Sequence, residues 1–127
     1  MPKKLSGIAA PISTPFVNGE VAYDQLRSNM QKYRGTALAG FFALGSNGES
    51  VFLTESEKLK VLEVVLQEKA DHQIVMAGSG YESTQQTISF SNQVAEMGAD
   101  CVSILTPSYF KKRLTDEAMI GYYTDVA

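Results

Sequence analysis

Three things are scarce in this sequence of 127 residues: positive charge, cysteine and long apolar runs. With 11 Lys and Arg against 14 Asp and Glu, the formal charge is −3. That balance argues against a surface tracking a phosphate backbone, because nucleic-acid binders concentrate Lys and Arg on one face. The partners to expect are small molecules or other proteins, with no nucleic acid. The single cysteine, Cys101, excludes an internal disulfide and fits a reducing compartment. Set in the apolar run "CVSIL", it reads as a buried thiol rather than a reactive one. The N-terminal "MPKKLSGIAAPI" carries two lysines but only a short apolar stretch broken by Pro11, too little for a secretory signal or a membrane span. A cytoplasmic chain with no membrane partner is expected. What is present, 44% hydrophobic and 20% charged residues, suits one globular unit over residues 1–127 with no internal domain boundary.

One pattern occurs four times. "GIAAPIS" (7–13), "LAGFFAL" (38–44), "QIVMAG" (73–78) and "CVSIL" (101–105) are short apolar runs, near-continuous rather than alternating, as strands buried on both faces of a parallel sheet require. A turn and a helix signal follow each. Asp24 to Tyr33 is weakly helical. Thr54 with Glu57 makes a capping box ahead of Leu59, Leu62, Val65 and Leu66 at helical spacing. Ser83 with Gln86 repeats that logic before Ile88, Val94 and Met97, and Gly98 supplies a left-handed stop. Thr115, with Asp116 and Glu117 in the favourable first turn, opens a fourth helix that has met no stop signal by Ala127.

Four βα units admit two α/β architectures, a doubly wound domain of flavodoxin or receiver type and the first half of an eight-unit barrel. Both place function at the C-terminal ends of the strands. A receiver needs an acidic cluster there for a hard cation, and among these ends only Glu49 is acidic. A flavin-phosphate loop wants glycines and hydroxyls leading into a helix after the first strand, where "STPF" carries a proline that removes an amide donor. No metal or cofactor site is expected from these ends.

The stretch "LGSNGES" after the second run is the densest in possible chemistry. Gly45 and Gly48 would let the backbone approach a ligand, while Ser46, Asn47 and the amides between them form a concave donor set suited to a carboxylate. No Gly-Lys-Ser/Thr follows, so it is no Walker loop. An ordinary strand-to-helix turn shaped by Gly and Ser is the other reading of the same residues. His72 reads as a surface histidine, the "KKR" of 111–113 as a solvated basic edge, and Phe110 as a packing aromatic.

"GSNGES", "STPF", "AGSGYESTQQT" and "GADCVSILTPSYF", in this order and spacing, resemble the N-terminal half of the dihydrodipicolinate synthase and N-acetylneuraminate lyase family. The resemblance implies a (β/α)8 TIM barrel of which this chain holds four βα units. It also implies a homotetramer built as a dimer of dimers, and class I aldolase chemistry in which a lysine forms a Schiff base with pyruvate or a related 2-keto acid. Carried onto this chain, Ser46 takes the place of the loop hydroxyl that relays protons, and Asn47 that of the carboxylate-binding residue, with Gly45 and Gly48 completing the loop. Tyr109 matches the tyrosine that crosses a subunit interface into the neighbour's site. Ser46-Asn47 with "AGSG.EST" looks closer to 4-hydroxy-2-oxoglutarate aldolases than to the synthases. The family's Schiff-base lysine belongs at the end of a sixth strand, and the eight lysines here all fall in tails, helices or loops. The expectation is therefore an N-terminal piece of a lyase, inactive alone. A non-catalytic half-barrel that self-assembles is the alternative, its open face exposing Phe41, Leu44 and Met76 wherever these point inward.

Overall fold

A computed structural model describes residues 3–127; Met1 and Pro2, which open the N-terminal segment considered above, lie outside the described residues. The main sheet comprises β1 (Ala9–Pro11), β4 (Gly40–Ala43), β5 (Ile74–Gly78) and β6 (Cys101–Ser103), all parallel. Helices α1 (Tyr23–Arg34), α2 (Glu55–Glu68) and α3 (Thr84–Glu96) connect them in turn, and α4 (Asp116–Val126) follows β6. The strands lie side by side in chain order, β1-β4-β5-β6. A doubly wound sheet reverses direction at a switch point; this one does not, and parallel strands in unbroken chain order are what an arc of a barrel needs.

Register decides which side of the apolar runs is core. Phe41 pairs with Val75 and Ala43 with Ala77, and all four are fully buried under the helices. Phe42 and Met76, also paired, are only half-buried on the other face. Phe41 and Leu44 therefore belong to the helix-covered core rather than to an open face, whereas Met76 is on the open side as expected. Met30 and Leu26 of α1, Val61, Leu62 and Val65 of α2, and Phe90 and Val94 of α3 fill the layer between helices and sheet.

The helix starts follow their local signals. The Thr54 hydroxyl accepts from the Glu57 amide at 3.3 Å while Glu57 Oε2 accepts from the Thr54 amide at 2.8 Å, a complete capping box. Ser83 and Thr115 cap α3 and α4 through the amides of Gln86 and Ala118, each at 3.2 Å. Gly98, at φ +109°, ends α3 in a conformation open to glycine. Helix α1 has no side-chain cap and is held instead by its neighbour: Arg27 pairs with Glu68 of α2, whose other oxygen accepts from Gln31 at 3.2 Å.

One element stands outside the repeat. β2 (Phe16–Val17) and β3 (Glu20–Val21) form a two-stranded antiparallel hairpin around Asn18 and Gly19, at φ 52° and 82°. This is the left-handed pair that a type I′ turn requires. No helix among the described residues is long and apolar enough to cross a membrane.

Candidate active site

The loop leaving β4 folds as two successive 3₁₀ turns, Ser46–Gly48 and Ser50–Phe52, joined at Glu49. Gly48 and Glu49 donate their amides back to the carbonyls of Gly45 and Ser46, at 3.1 and 3.0 Å. The amides of Ser46 and Asn47, being first in their turn, have no partner inside it. Both residues are exposed, so two backbone N–H groups, a hydroxyl and a carboxamide stand together at the strand's C-terminal end.

The left-handed backbone positions here are not glycines. They are Leu44 (φ 60°), 3% exposed, and Glu49 (φ 52°). What the glycines supply is clearance from protein: a Cβ on Gly45 would meet the Phe42 ring at 2.9 Å, and one on Gly48 would come within 3.2 Å of the Ile12 carbonyl. Gly48 is also where the loop is fastened. The buried Thr14 hydroxyl, just past β1, donates to the Gly48 carbonyl at 2.7 Å across 34 residues of chain. The "STPF" stretch thus serves as the loop's anchor.

Beside this loop lies a cleft of about 330 Å³ across the ends of β4, β5 and β6, lined by Phe42, Gly45, Ser46, Lys58, Ser79 and Tyr81 among others. Ser79, 1% exposed, shares a hydrogen bond of 2.7 Å with Ser91 of α3. Lys58 is the one cation in the lining. Its Nζ donates to the Tyr81 hydroxyl at 3.1 Å and stands 4.3 Å from that ring's centroid. Burial pushes the Lys58 amine below its ordinary range, with Glu55 pulling the other way. Burial, with help from Glu55, pushes the Tyr81 phenol up. Sequence reasoning grouped Lys58 with the lysines of helices; the available signal was its place near the start of α2, since a helix following a parallel strand begins at the strand's C-terminal face.

Of the site residues expected from sequence, Gly45 and Ser46 border the cleft, and Asn47 and Gly48 adjoin them in the same turn. Tyr109 does not line the cleft. It stands on the rim, 80% exposed, its ring edge-on to Phe110 at 4.9 Å. Lys111, Lys112 and Arg113 form an exposed 3₁₀ turn beyond it, and His72 is exposed in the turn before β5. Cys101 is half-buried rather than fully enclosed, and burial together with Asp100 holds its thiol protonated.

Comparison with known proteins agrees with this fold. The sequence profile of the dihydrodipicolinate synthetase family matches residues 4–127. The 4-hydroxy-tetrahydrodipicolinate synthases of Methanococcus maripaludis and Staphylococcus epidermidis are each 34% identical to this chain, over 123 and 127 residues. These matches cover 97% and 100% of this chain and 42% of each relative. Among solved structures, the chloride-inhibited dihydrodipicolinate synthase of Acinetobacter baumannii, complexed with pyruvate, superposes with a TM-score of 0.86 at 25% identity. That superposition covers 97% of this chain and 42% of the other. The chain thus spans less than half the length of the relatives it matches, and its four βα units are the N-terminal half of a (β/α)8 barrel.

Proposed function

Because the chain belongs to the dihydrodipicolinate synthetase family, we propose that it is the N-terminal part of a Schiff-base-forming lyase that makes or breaks a carbon–carbon bond with pyruvate. The observation that carries the reading is the exposed Ser46–Asn47 turn, fastened through Gly48 to Thr14 beside the strand-end cleft. In that chemistry an amine adds to the keto carbon of pyruvate and water leaves. The resulting iminium withdraws electrons, so a proton can leave the methyl carbon and the enamine can attack an aldehyde; cleavage runs the same steps in reverse.

This chain's share is to hold and to move protons. The Asn47 carboxamide and the amides of Ser46 and Asn47 receive the pyruvate carboxylate. The Ser46 hydroxyl, able both to donate and to accept, passes a proton between that end of the substrate and a phenol. Tyr109 is that phenol, contributed to a neighbouring subunit's site in an assembly of four. The Ser46-Asn47 pair points to 4-hydroxy-2-oxoglutarate cleavage, and the relatives named above point to 4-hydroxy-tetrahydrodipicolinate synthesis. The amine nucleophile comes from chain beyond residue 127, so this chain alone is inactive.

Borohydride reduces an imine to a stable secondary amine, so pyruvate with borohydride marks the reacting lysine. One pyruvate adduct on the longer gene product, at a lysine C-terminal to Ala127, and none on this chain, is the expected intact-mass result. Stoichiometric trapping here on Lys58, whose amine burial favours in the neutral, nucleophilic form, or on Lys111 would overturn the assignment. A second reading, a non-catalytic half-barrel that assembles with itself, is favoured by the edge strands β1 and β6, beside which Ile8 and Leu105 are 74% and 67% exposed. Sedimentation as a compact monomer would count against it.

A further inference from the structure

We propose that Glu82 is a positioning residue for Tyr109. The inference rests on the reading of Tyr109 as a proton-passing phenol and adds the group that aims it. Between β6 and the 3₁₀ turn at Lys111–Arg113 the chain makes no sheet contact, so the direction of the Tyr109 side chain depends on the peptide planes at 108 and 109. Both of those amides point at one carboxylate. The Ser108 amide donates to Oε1 and Oε2 of Glu82, 3.0 Å to each, and the Tyr109 amide donates to Oε2 at 3.0 Å. The Ser108 hydroxyl adds a contact of 3.4 Å to Oε1.

Two successive backbone N–H groups converging on an anion form a nest. Here the anion is a side chain from 26 residues earlier, immediately before the Ser83 cap of α3. Such charge-assisted bonds are directional, and they fix the plane of each peptide they touch. Glu82 is itself exposed, and so is most of the segment it holds. Little burial backs the contact, and its main effect is on where the 80%-exposed ring of Tyr109 points. Two other side-chain anchors act further back: the Tyr123 hydroxyl donates to the Ile104 carbonyl at 3.2 Å and shares a bond of 3.1 Å with the Thr106 hydroxyl. Neither reaches residue 109.

The test uses the longer gene product and pyruvate-dependent turnover. Glu82→Gln keeps the length of the side chain but sets an NH2 donor against an amide donor. We expect kcat to fall about tenfold with KM for pyruvate little changed, because the Ser46–Asn47 turn is untouched. Glu82→Asp, which keeps the charge, should recover part of the loss. Since Glu82 acts through the phenol, Glu82→Gln should cost nothing further in a Tyr109→Phe background. Amide hydrogen exchange of Ser108 and Tyr109 should quicken about tenfold in Glu82→Gln while β5 and α3 keep their protection. Normal kcat in Glu82→Gln beside a slow Tyr109→Phe refutes the positioning role alone, as do losses that multiply in the double variant. Normal turnover in Tyr109→Phe refutes the relay reading of Tyr109 and this proposal with it.

Discussion

Replacing Thr14 by valine isolates the bond that fastens the loop after β4. The two side chains have nearly the same shape, so the change opens no cavity; it removes only the donor to the Gly48 carbonyl, 2.7 Å away. Thr14 is 5% exposed and Gly48 is buried, so water can do little to replace what is lost. A buried acceptor left unpaired costs about 1–3 kcal/mol, and the methyl that replaces the hydroxyl returns roughly 0.8 kcal/mol at most. The net loss expected is about 1–2 kcal/mol. Unfolding entropy of about 2 cal/mol/K per residue turns that into a fall in Tm of roughly 4–8 °C for a chain of this size. Urea unfolding should show a lower midpoint with an unchanged slope. Thr14→Ser keeps the donor and should lose less than half as much. Exchange of the Gly48 and Glu49 amides, which bond within the turn, should quicken in Thr14→Val and not in Thr14→Ser. A valine variant that melts within about 1 °C of the parent protein would refute the claim that this bond holds the loop.

Gly40→Ala should destabilise by about 3 kcal/mol or more, because its Cβ would lie 2.2 Å from the Ile74 carbonyl oxygen, backbone that cannot yield without breaking the β4–β5 register. Gly121→Ala, with nothing within 4 Å of the new methyl, is the control and should be neutral or stabilising in thermal melts. Arg27 and then Gln31 hold the Glu68 carboxyl below its ordinary value of 4.5. The stability it contributes is therefore fully present above that value and lost as pH falls through the folded-state pKa. Glu68→Gln should remove that part of the acid dependence of Tm, and parallel curves for the two proteins below pH 4.5 would show that the group contributes nothing. On the proposed reading, in the longer gene product, Asn47→Ala should weaken pyruvate binding by roughly 1–3 kcal/mol by calorimetry, while Ser46→Ala should act mainly on turnover; equal small effects on both would leave the loop an ordinary turn.

Much of the fold was legible because its signals are local. Thr54 with Glu57, Ser83 with Gln86, and Gly98 each determine a helix end within a few residues of chain, and the structure places all three where the sequence does. Parity was not legible. In a run apolar throughout, such as 40–44, nothing local tells Phe41 from Phe42, and only pairing with Val75 and Met76 decides which one enters the core. The hairpin at 16–21 escaped notice because two-residue strands are too short to show alternation, although Asn18-Gly19 is a strong turn signal. The site was legible as far as one loop reaches. Thr14 fastening Gly48, Lys58 entering the cleft and Glu82 holding 108–109 each join segments at least 20 residues apart, where no spacing rule applies.

The backbone bond from Gly48 to the Gly45 carbonyl also bears on how the protein ages. An asparagine followed by glycine loses ammonia when the glycine nitrogen attacks the side-chain carbonyl carbon; the cyclic imide then opens to aspartate or isoaspartate. The chain has two such pairs, Asn18-Gly19 and Asn47-Gly48. In the second, the attacking nitrogen is already engaged at 3.1 Å within a turn anchored by Thr14, whereas the first sits exposed at a hairpin tip. Peptide mapping of stored protein should find conversion at Asn18 well before Asn47, and the reverse order would mean that the loop opens readily. The difference matters because only one of these clocks is harmful. Aspartate at 47 would set a fixed negative charge in the turn proposed to receive a carboxylate, and repulsion would close it to anions while the fold stayed intact.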